Sequence, residues 1–324
     1  MTELMRKTIF LTGGSGFVGQ SLIQAFRQAG YQVLALARSE HSAQKVEALG
    51  AKAVQDDLVD LSDRTAKALR QCSIVVHSAA HMDFTYHKAL FYAINVEATK
   101  ELVAMAKNAG IQRFIYISAV PVVANMPMHR LREEQASSDL PTGLYPLTKA
   151  LGERIVLEAD TPGFTTLSLR PPFIWGPDNP HFQEIKEAVE KGQWAWVGGG
   201  HHVMSTIHVN NLSAAVIASL ENGRGGEAYF VTDGEFMSLR NFFTKLLAQE
   251  GVAARGPSIP RWLAWGAAHL LGGLWKTMAW KSRPPLNPVM VRMMGTELSV
   301  LDEKARIELG YRNVLSMEEG FSRP

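Results

Sequence analysis

Short apolar runs rich in β-branched residues alternate with helical stretches through the first half of the chain. Thr8–Leu11 reads as a buried strand, and Gln32–Ala37, Ala51–Val54, Ser73–His77 and Arg113–Ser118 read as further strands. Between them the spacing predicts helices over Val18–Ala29, Glu40–Leu49, Leu61–Arg70 and Phe91–Ala109, three of them closed by Gly30, Gly50 and Gly110. Strands separated by helices form right-handed crossovers, so an α/β fold with a doubly wound parallel sheet is expected. Past Arg170-Pro171-Pro172 the rhythm changes: Pro171, Pro172, Pro177 and Pro180 break any helix, and Gly198–Gly200 marks a tight loop. Val203–Val209 and Glu227–Thr232 read as strands and Leu239–Glu250 as a helix, so the domain change is placed near residue 176. Strands within about 203–232 are expected to return to the first sheet.

Composition narrows the function. The chain is 46% apolar and 20% charged over 324 residues, which fits a packed globular protein and not a disordered or fibrous one. Lys+Arg 33 against Asp+Glu 31 leaves a net charge of +2, so nothing marks a nucleic-acid partner. Cys72 is the only cysteine, which excludes a disulfide within the chain and points to a reducing, cytoplasmic setting. His201, His202 and His208 have no acid or cysteine at ligand spacing, so no metal site is expected. The longest uncharged, mostly apolar run, Trp262–Trp275, is shorter than the ~20 residues that cross a bilayer.

Gly13, Gly16 and Gly19 lie between the first strand and the first helix, in Thr12-Gly13-Gly14-Ser15-Gly16-Phe17-Val18-Gly19. A sharp turn without side chains lets a pyrophosphate reach the amides of Ser15, Gly16, Phe17 and Val18, where the helix dipole favours an anion. Ala37-Arg38-Ser39 ends the second strand, where an acid would take the ribose hydroxyl of NAD. Arg38 instead suits the 2′-phosphate of NADP; the plainer alternative is a solvated arginine neutralised by Glu40. Tyr145 and Lys149 stand four apart and share a helix face.

These features, with Asp57-Leu58, Ser78-Ala79-Ala80, Asn95-Val96, Leu169-Arg170-Pro171 and His208-Val209-Asn210-Asn211, make the chain resemble the extended short-chain dehydrogenase/reductases. Its C-terminal part is similar to the branch of 3β-hydroxysteroid dehydrogenases and dihydroflavonol reductases. The resemblance implies a Rossmann-type NAD(P)-binding domain over 1–176 and a smaller α/β substrate-binding region over 177–324. Asp57 and Leu58 would flank the adenine, Ser78, Ala79, Ala80 and Asn95 would line the cofactor, and Pro171 with Ile174 would approach the nicotinamide. Tyr145 would act as general acid/base, with Lys149 lowering its pKa and holding the nicotinamide ribose. The family's hydroxyl donor falls at Ala119, one residue past Ser118. Three readings follow: Ser118 substitutes, another donor such as His81 or Thr85 replaces it, or the protein is a catalytically impaired regulatory one.

The implied activity is interconversion of a secondary alcohol and a ketone on a hydrophobic, steroid- or flavonoid-like molecule, with NADP as cofactor. A nucleotide-sugar epimerase is the further alternative, disfavoured by Met204-Ser205-Thr206 and Ala119-Val120 where such enzymes carry polar signatures. His81, Asp83, Phe84 and Tyr86, at the carboxyl end of the fourth strand, are substrate-side candidates together with Ala119 and Trp175. The family's dimer helices correspond to Phe91–Ala109 and Tyr145–Ala159, which implies a homodimer. Trp262, Trp265 and His269 fall on one face of a predicted helix, either a packed lid, a lining for an apolar substrate, or a peripheral membrane contact flanked by Lys276, Lys281 and Arg283.

Overall fold

The computed structural model describes residues 7–83, 87–278 and 286–322, so Phe84, Thr85, Tyr86, Lys281 and Arg283 lie outside the described residues. Seven parallel strands form the main sheet: β1 (Thr8–Thr12), β2 (Gln32–Ala37), β3 (Lys52–Gln55), β4 (Ile74–His77), β5 (Arg113–Ile117), β6 (Thr165–Arg170) and β7 (Glu227–Phe230). Their order is β7-β6-β5-β4-β1-β2-β3, which reverses direction of growth between β1 and β4. Period-2 alternation explains why the strands are apolar on both faces. Ile9 and Leu11, Val76, and Ile115 and Ile117 enter one core cluster, while Phe10, Val75, and Phe114 and Tyr116 enter the other. Helices α1 (Phe17–Gln28), α2 (Glu40–Ala48), α3 (Asp63–Leu69), α4 (Ala98–Asn108) and α5 (Leu144–Glu158) cover the two faces. The expected helix over Phe91–Ala109 is interrupted, because Ala93–Glu97 winds as a π-helical turn ahead of α4.

The second half departs from its reading in two places. Pro180 opens a helix, α6 (Pro180–Glu190), instead of breaking one: proline at the first position loses no bond, and the Asn179 side chain caps the amides of His181 and Phe182. Val203–Val209 is not one strand. Val203–Met204 joins a four-stranded sheet with Met237–Ser238, Leu298–Val300 and Met128–Leu131, whereas Thr206–His208 pairs with Phe173–Trp175. The split falls at Ser205, whose hydroxyl donates to the Val300 carbonyl and accepts from the Val300 amide. Only β7 of the expected returning strands joins the main sheet, beside β6. Further helices are α7 (Val209–Ser219), α8 (Leu239–Gln249), α9 (Arg261–Thr277) and α10 (Pro288–Met294).

Candidate active site

The loops after β1, β4 and β5 converge at the carboxyl ends of adjacent strands, the edge where open α/β sheets hold ligands. Gly13 takes φ +74°, and a Cβ there would fall 2.7 Å from the Ala79 amide nitrogen. A Cβ at Gly19 would sit 2.1 Å from the Gly13 carbonyl oxygen, so α1 can press on the turn only with glycine there. Gly16 is the N-cap of α1 and offers no side-chain oxygen, and the first turn holds no acid. Its amides, including those of Phe17 and Val18, therefore face outward without a protein anion. Beneath the turn, the Thr12 hydroxyl lies 2.6 Å from Nδ1 of His77, whose Nε2 lies 3.0 Å from the Thr99 hydroxyl. Burial, assisted by the Lys149 charge, pushes His77 down to about 3 and keeps it neutral. This bridge between β1 and β4 went unread: the signal was a histidine at the end of an otherwise apolar strand.

Around the adenine side, Leu58 is buried and Asp57 exposed, its carboxylate accepting the Val59 amide. The neighbouring Asp56, missed in the sequence, anchors the loop. It accepts the hydroxyls of Ser62 (2.8 Å) and Thr65 (2.7 Å); these bonds overcome the opposing effect of burial and hold its carboxyl below the usual range. Arg38 is exposed, and Glu40 takes the amide of Gln55 at 2.8 Å rather than the guanidinium. Ser39, expected at the cofactor, forms a reciprocal cap for α2 with Ser42.

Asn95, on the π-helical turn, spends its amide within the chain. It accepts the His81 amide at 2.7 Å and donates to the His81 carbonyl and to the Thr148 hydroxyl. These bonds tie the loop after β4 to α5 through a residue expected beside the cofactor. The His81 ring packs on Phe91 with centroids 4.6 Å apart and points Nε2 at Asp83, 3.2 Å away. Ser78 and Ala79 are half-buried and Ala80 is exposed on the same loop.

Tyr145 and Lys149 project from one side of α5. Tyr145 is half-buried and burial pushes it up to about 12, so the expected lowering by Lys149 is not seen in the chain alone. Lys149 is 1% exposed, donates to the Ile117 carbonyl at 2.6 Å and lies 3.9 Å from the Tyr116 ring centre. Burial draws it down to about 7, against the opposing pull of Glu153. Ala119 belongs to the apolar cluster that Tyr145 packs against, together with Val120, Met128 and Phe230. Ser118 turns the other way, because adjacent strand-end residues alternate. Its buried hydroxyl has no partner at full hydrogen-bond geometry and faces the Glu153 carboxyl. The hydroxyl expected to serve as catalytic donor is thus directed at Glu153.

Pro171 is buried and its carbonyl accepts the Val120 amide at 2.9 Å, which fixes the Ala119 loop to the end of β6. Ile174 is half-buried against the main core. Trp175, expected on the substrate side, is 1% exposed and donates to Asp233 at 2.7 Å. Asp233 also accepts the Thr206 hydroxyl, the His208 amide and the Asn211 amide group, a buried hub with no signal in spacing alone.

A glycine-turned nucleotide cradle beside a Tyr–Lys pair on a doubly wound sheet defines a dehydrogenase/reductase of the extended short-chain class. A family model described as the 3-beta hydroxysteroid dehydrogenase/isomerase family matches residues 10–261, and the chain belongs to that family. A ketoreductase of Stigmatella aurantiaca, named for 4-hydroxy-2-methyl-3-oxo-4-farnesyl-3,4-dihydroquinoline-1-oxide, is 38% identical over 96% of this chain and 94% of its own. A decarboxylating sterol-4-alpha-carboxylate 3-dehydrogenase of Dictyostelium discoideum is 29% identical over 97% of this chain and 99% of its own. Among solved structures, gox2253 superposes with TM-score 0.80 at 23% identity over 98% of this chain and 96% of its own. A short-chain dehydrogenase/reductase superfamily protein of Agrobacterium tumefaciens with bound NAD superposes with TM-score 0.72 at 18% identity, over 97% of this chain and 95% of its own. Both show the same fold.

Proposed function

We propose that the protein is an NADP-dependent reductase of a bulky apolar ketone, acting in reverse as a secondary-alcohol dehydrogenase. The observation that carries this is the uncapped first turn of α1 opening at the strand ends where Lys149 reaches the Ile117 carbonyl. The residues fit a dinucleotide: the space a Cβ would take at Gly13 and Gly19 is filled by backbone, so the turn is too tight for any side chain to block a pyrophosphate. Gly13, Ser15, Gly16, Phe17, Val18 and Gly19 would hold it, and the unengaged Arg38 would receive the 2′-phosphate. When bound, the reduced nicotinamide supplies a hydride to the carbonyl carbon. Tyr145, kept protonated by burial, holds the proton that the carbonyl oxygen takes up. Lys149, drawn to about 7, is poised to exchange a proton near neutral pH and to donate to the ribose.

Ala119 and its apolar neighbours present no hydroxyl to a substrate, which favours a hydrophobic one; His81 and Asp83 would form the polar margin. The names of the two relatives, one carrying a farnesyl group and one a sterol, support that class. A reducing compartment is in keeping with Cys72 as the only cysteine of the chain, which leaves no disulfide pair within it. We carry forward from the resemblance a division near residue 176 and a homodimer through α4 and α5, which sedimentation at micromolar concentration would test. The central test is calorimetry with NADPH and NADH followed by NADPH oxidation against apolar ketones. Tight, NADPH-selective binding with turnover is expected; indifference to both coenzymes would overturn the reading.

A further inference from the structure

We infer that His77 is a positioning residue, which ties the glycine turn to the catalytic helix α5 through one continuous chain of buried hydrogen bonds. The coupling deepens the reading proposed above and rests on it, because that chemistry needs the cradle and the Tyr145–Lys149 pair held in register. The chain starts at the loop after β4. The Ala79 amide donates to the Thr12 hydroxyl at 3.2 Å, and that hydroxyl lies 2.6 Å from Nδ1 of His77. On the other side of the ring, Nε2 lies 3.0 Å from the Thr99 hydroxyl, which donates to the Asn95 carbonyl at 3.0 Å. A backbone N–H can only donate and a carbonyl can only accept. The Thr12 proton is therefore left for Nδ1, and the Thr99 oxygen for Nε2–H. Both ends demand the same neutral tautomer, and burial, which pushes His77 down to about 3, keeps a second proton off.

The far end of the chain bears on α5 at two points around Lys149. The Asn95 side chain donates to the Thr148 hydroxyl at 3.1 Å, and a Cβ at Gly152 would fall 2.4 Å from the Asn95 carbonyl oxygen. The near end is equally tight, since a Cβ at Gly13 would meet the Ala79 amide nitrogen. Asn95 belongs to the π-helical turn, an irregularity that recurs at functional sites. Thr12, His77 and Thr99 are each 0% exposed, so a cut link orphans a buried polar group. Packing alone gives no reason for an imidazole here. The rest of β4, Ile74-Val75-Val76, is apolar, and a buried polar ring costs free energy unless both nitrogens are satisfied. With both satisfied, a shift of the glycine turn passes to the helix that carries the reacting pair. A misplacement of about 1 Å can cost about 10²-fold in rate.

Two measurements on the whole coenzyme-free protein test the chain. By nitrogen NMR, His77 is expected as the Nε2–H tautomer, without titration between about pH 5 and 8. Thr12→Val should speed amide exchange over 148–152 of α5, and should add nothing once Thr99→Val is present. An Nδ1–H ring, or two additive effects on exchange, would overturn the proposal. Turnover is the third readout. Thr99→Val leaves the Thr12–His77 bond in place, so kcat is expected to fall about 10–100-fold while NADPH affinity by calorimetry stays within about threefold. Thr99→Ser, which returns the hydroxyl, should recover most of the loss. Should Thr99→Val fail to fold, His77→Asn keeps an acceptor toward Thr12, loses the reach to Thr99, and is expected to behave in the same way. An unchanged kcat in a folded variant would overturn the proposal. So would a loss of NADPH affinity with kcat intact, which would confine His77 to the cradle. A wild-type protein that binds neither NADPH nor NADH would fail the activity reading instead, and the tautomer and exchange results would still confirm or overturn the chain.

Discussion

Glu153 stands one helical turn beyond Lys149 on α5, and its carboxylate grips Arg170 with two prongs, Nη2–Oε1 at 2.6 Å and Nε–Oε2 at 3.0 Å. The Ser168 hydroxyl adds a third bond at 2.7 Å. Burial opposes the charge, but Arg170 and the hydroxyls hold the Glu153 carboxyl below its usual range. A fixed anion in the core thus supports the ammonium of Lys149. Glu153→Gln leaves the half-buried Arg170 without its counter-charge, so a loss of about 2–3 kcal/mol in denaturant unfolding is expected. It also removes the attraction that raises Lys149 against burial, so the alkaline limb of the pH–rate profile should move to lower pH. A purely structural role would leave that limb in place.

The sign for Lys149 runs opposite to that of a paired lysine. Its pKa falls from 10.5 unfolded to about 7 folded, so between those values the unfolded chain holds a proton that the folded one lacks. This group's contribution to stability therefore rises with pH from about 7 to 10.5 and is a penalty below. Lys149→Met should raise the thermal midpoint near pH 6, with the advantage shrinking toward pH 10, while turnover is lost.

Tyr145→Phe keeps the ring and removes the proton. Turnover should fall by about 10²–10⁴, with NADPH affinity by calorimetry unchanged.

Ala119 leaves a carbonyl oxygen without the hydroxyl donor that the resemblance expects, and Ser118 is turned toward Glu153. Ala119→Ser should raise kcat by up to about 10², since a missing donor of this kind typically costs that much or more. An unchanged rate in steady-state assays would mean that another group, such as His81, already donates.

Arg38 is exposed and Glu40 is engaged by Gln55. Arg38→Ala should weaken NADPH binding by about 10–100-fold and leave NADH binding unaltered, because a charged hydrogen-bonded pair contributes about 1.5–3 kcal/mol.

The strand–helix alternation, the glycine turn and the Tyr145–Lys149 spacing were legible because each depends on neighbours within a few residues. Strand and helix periods and a turn's demand for glycine are local properties. Where local signals stood alone, they misled: Pro180 looks like a helix breaker until Asn179 is seen capping the helix that it opens. Ser118 and Ala119 differ by one position, so alternation sends their side chains to opposite faces. Only packing showed that its hydroxyl is buried toward Glu153 from α5.

Sequence by itself determined the layered architecture and the two ends of the cradle, since apolar periodicity and glycine placement are written along one stretch of chain. Tertiary structure alone decided which polar groups survive burial. Thr12 meets His77 across 65 positions, Trp175 meets Asp233 across 58, and burial draws down the proton affinity of Lys149 although it reaches the Ile117 carbonyl of β5. A buried charge or amide is stabilised only by partners brought close in space, and no spacing along the chain encodes that proximity.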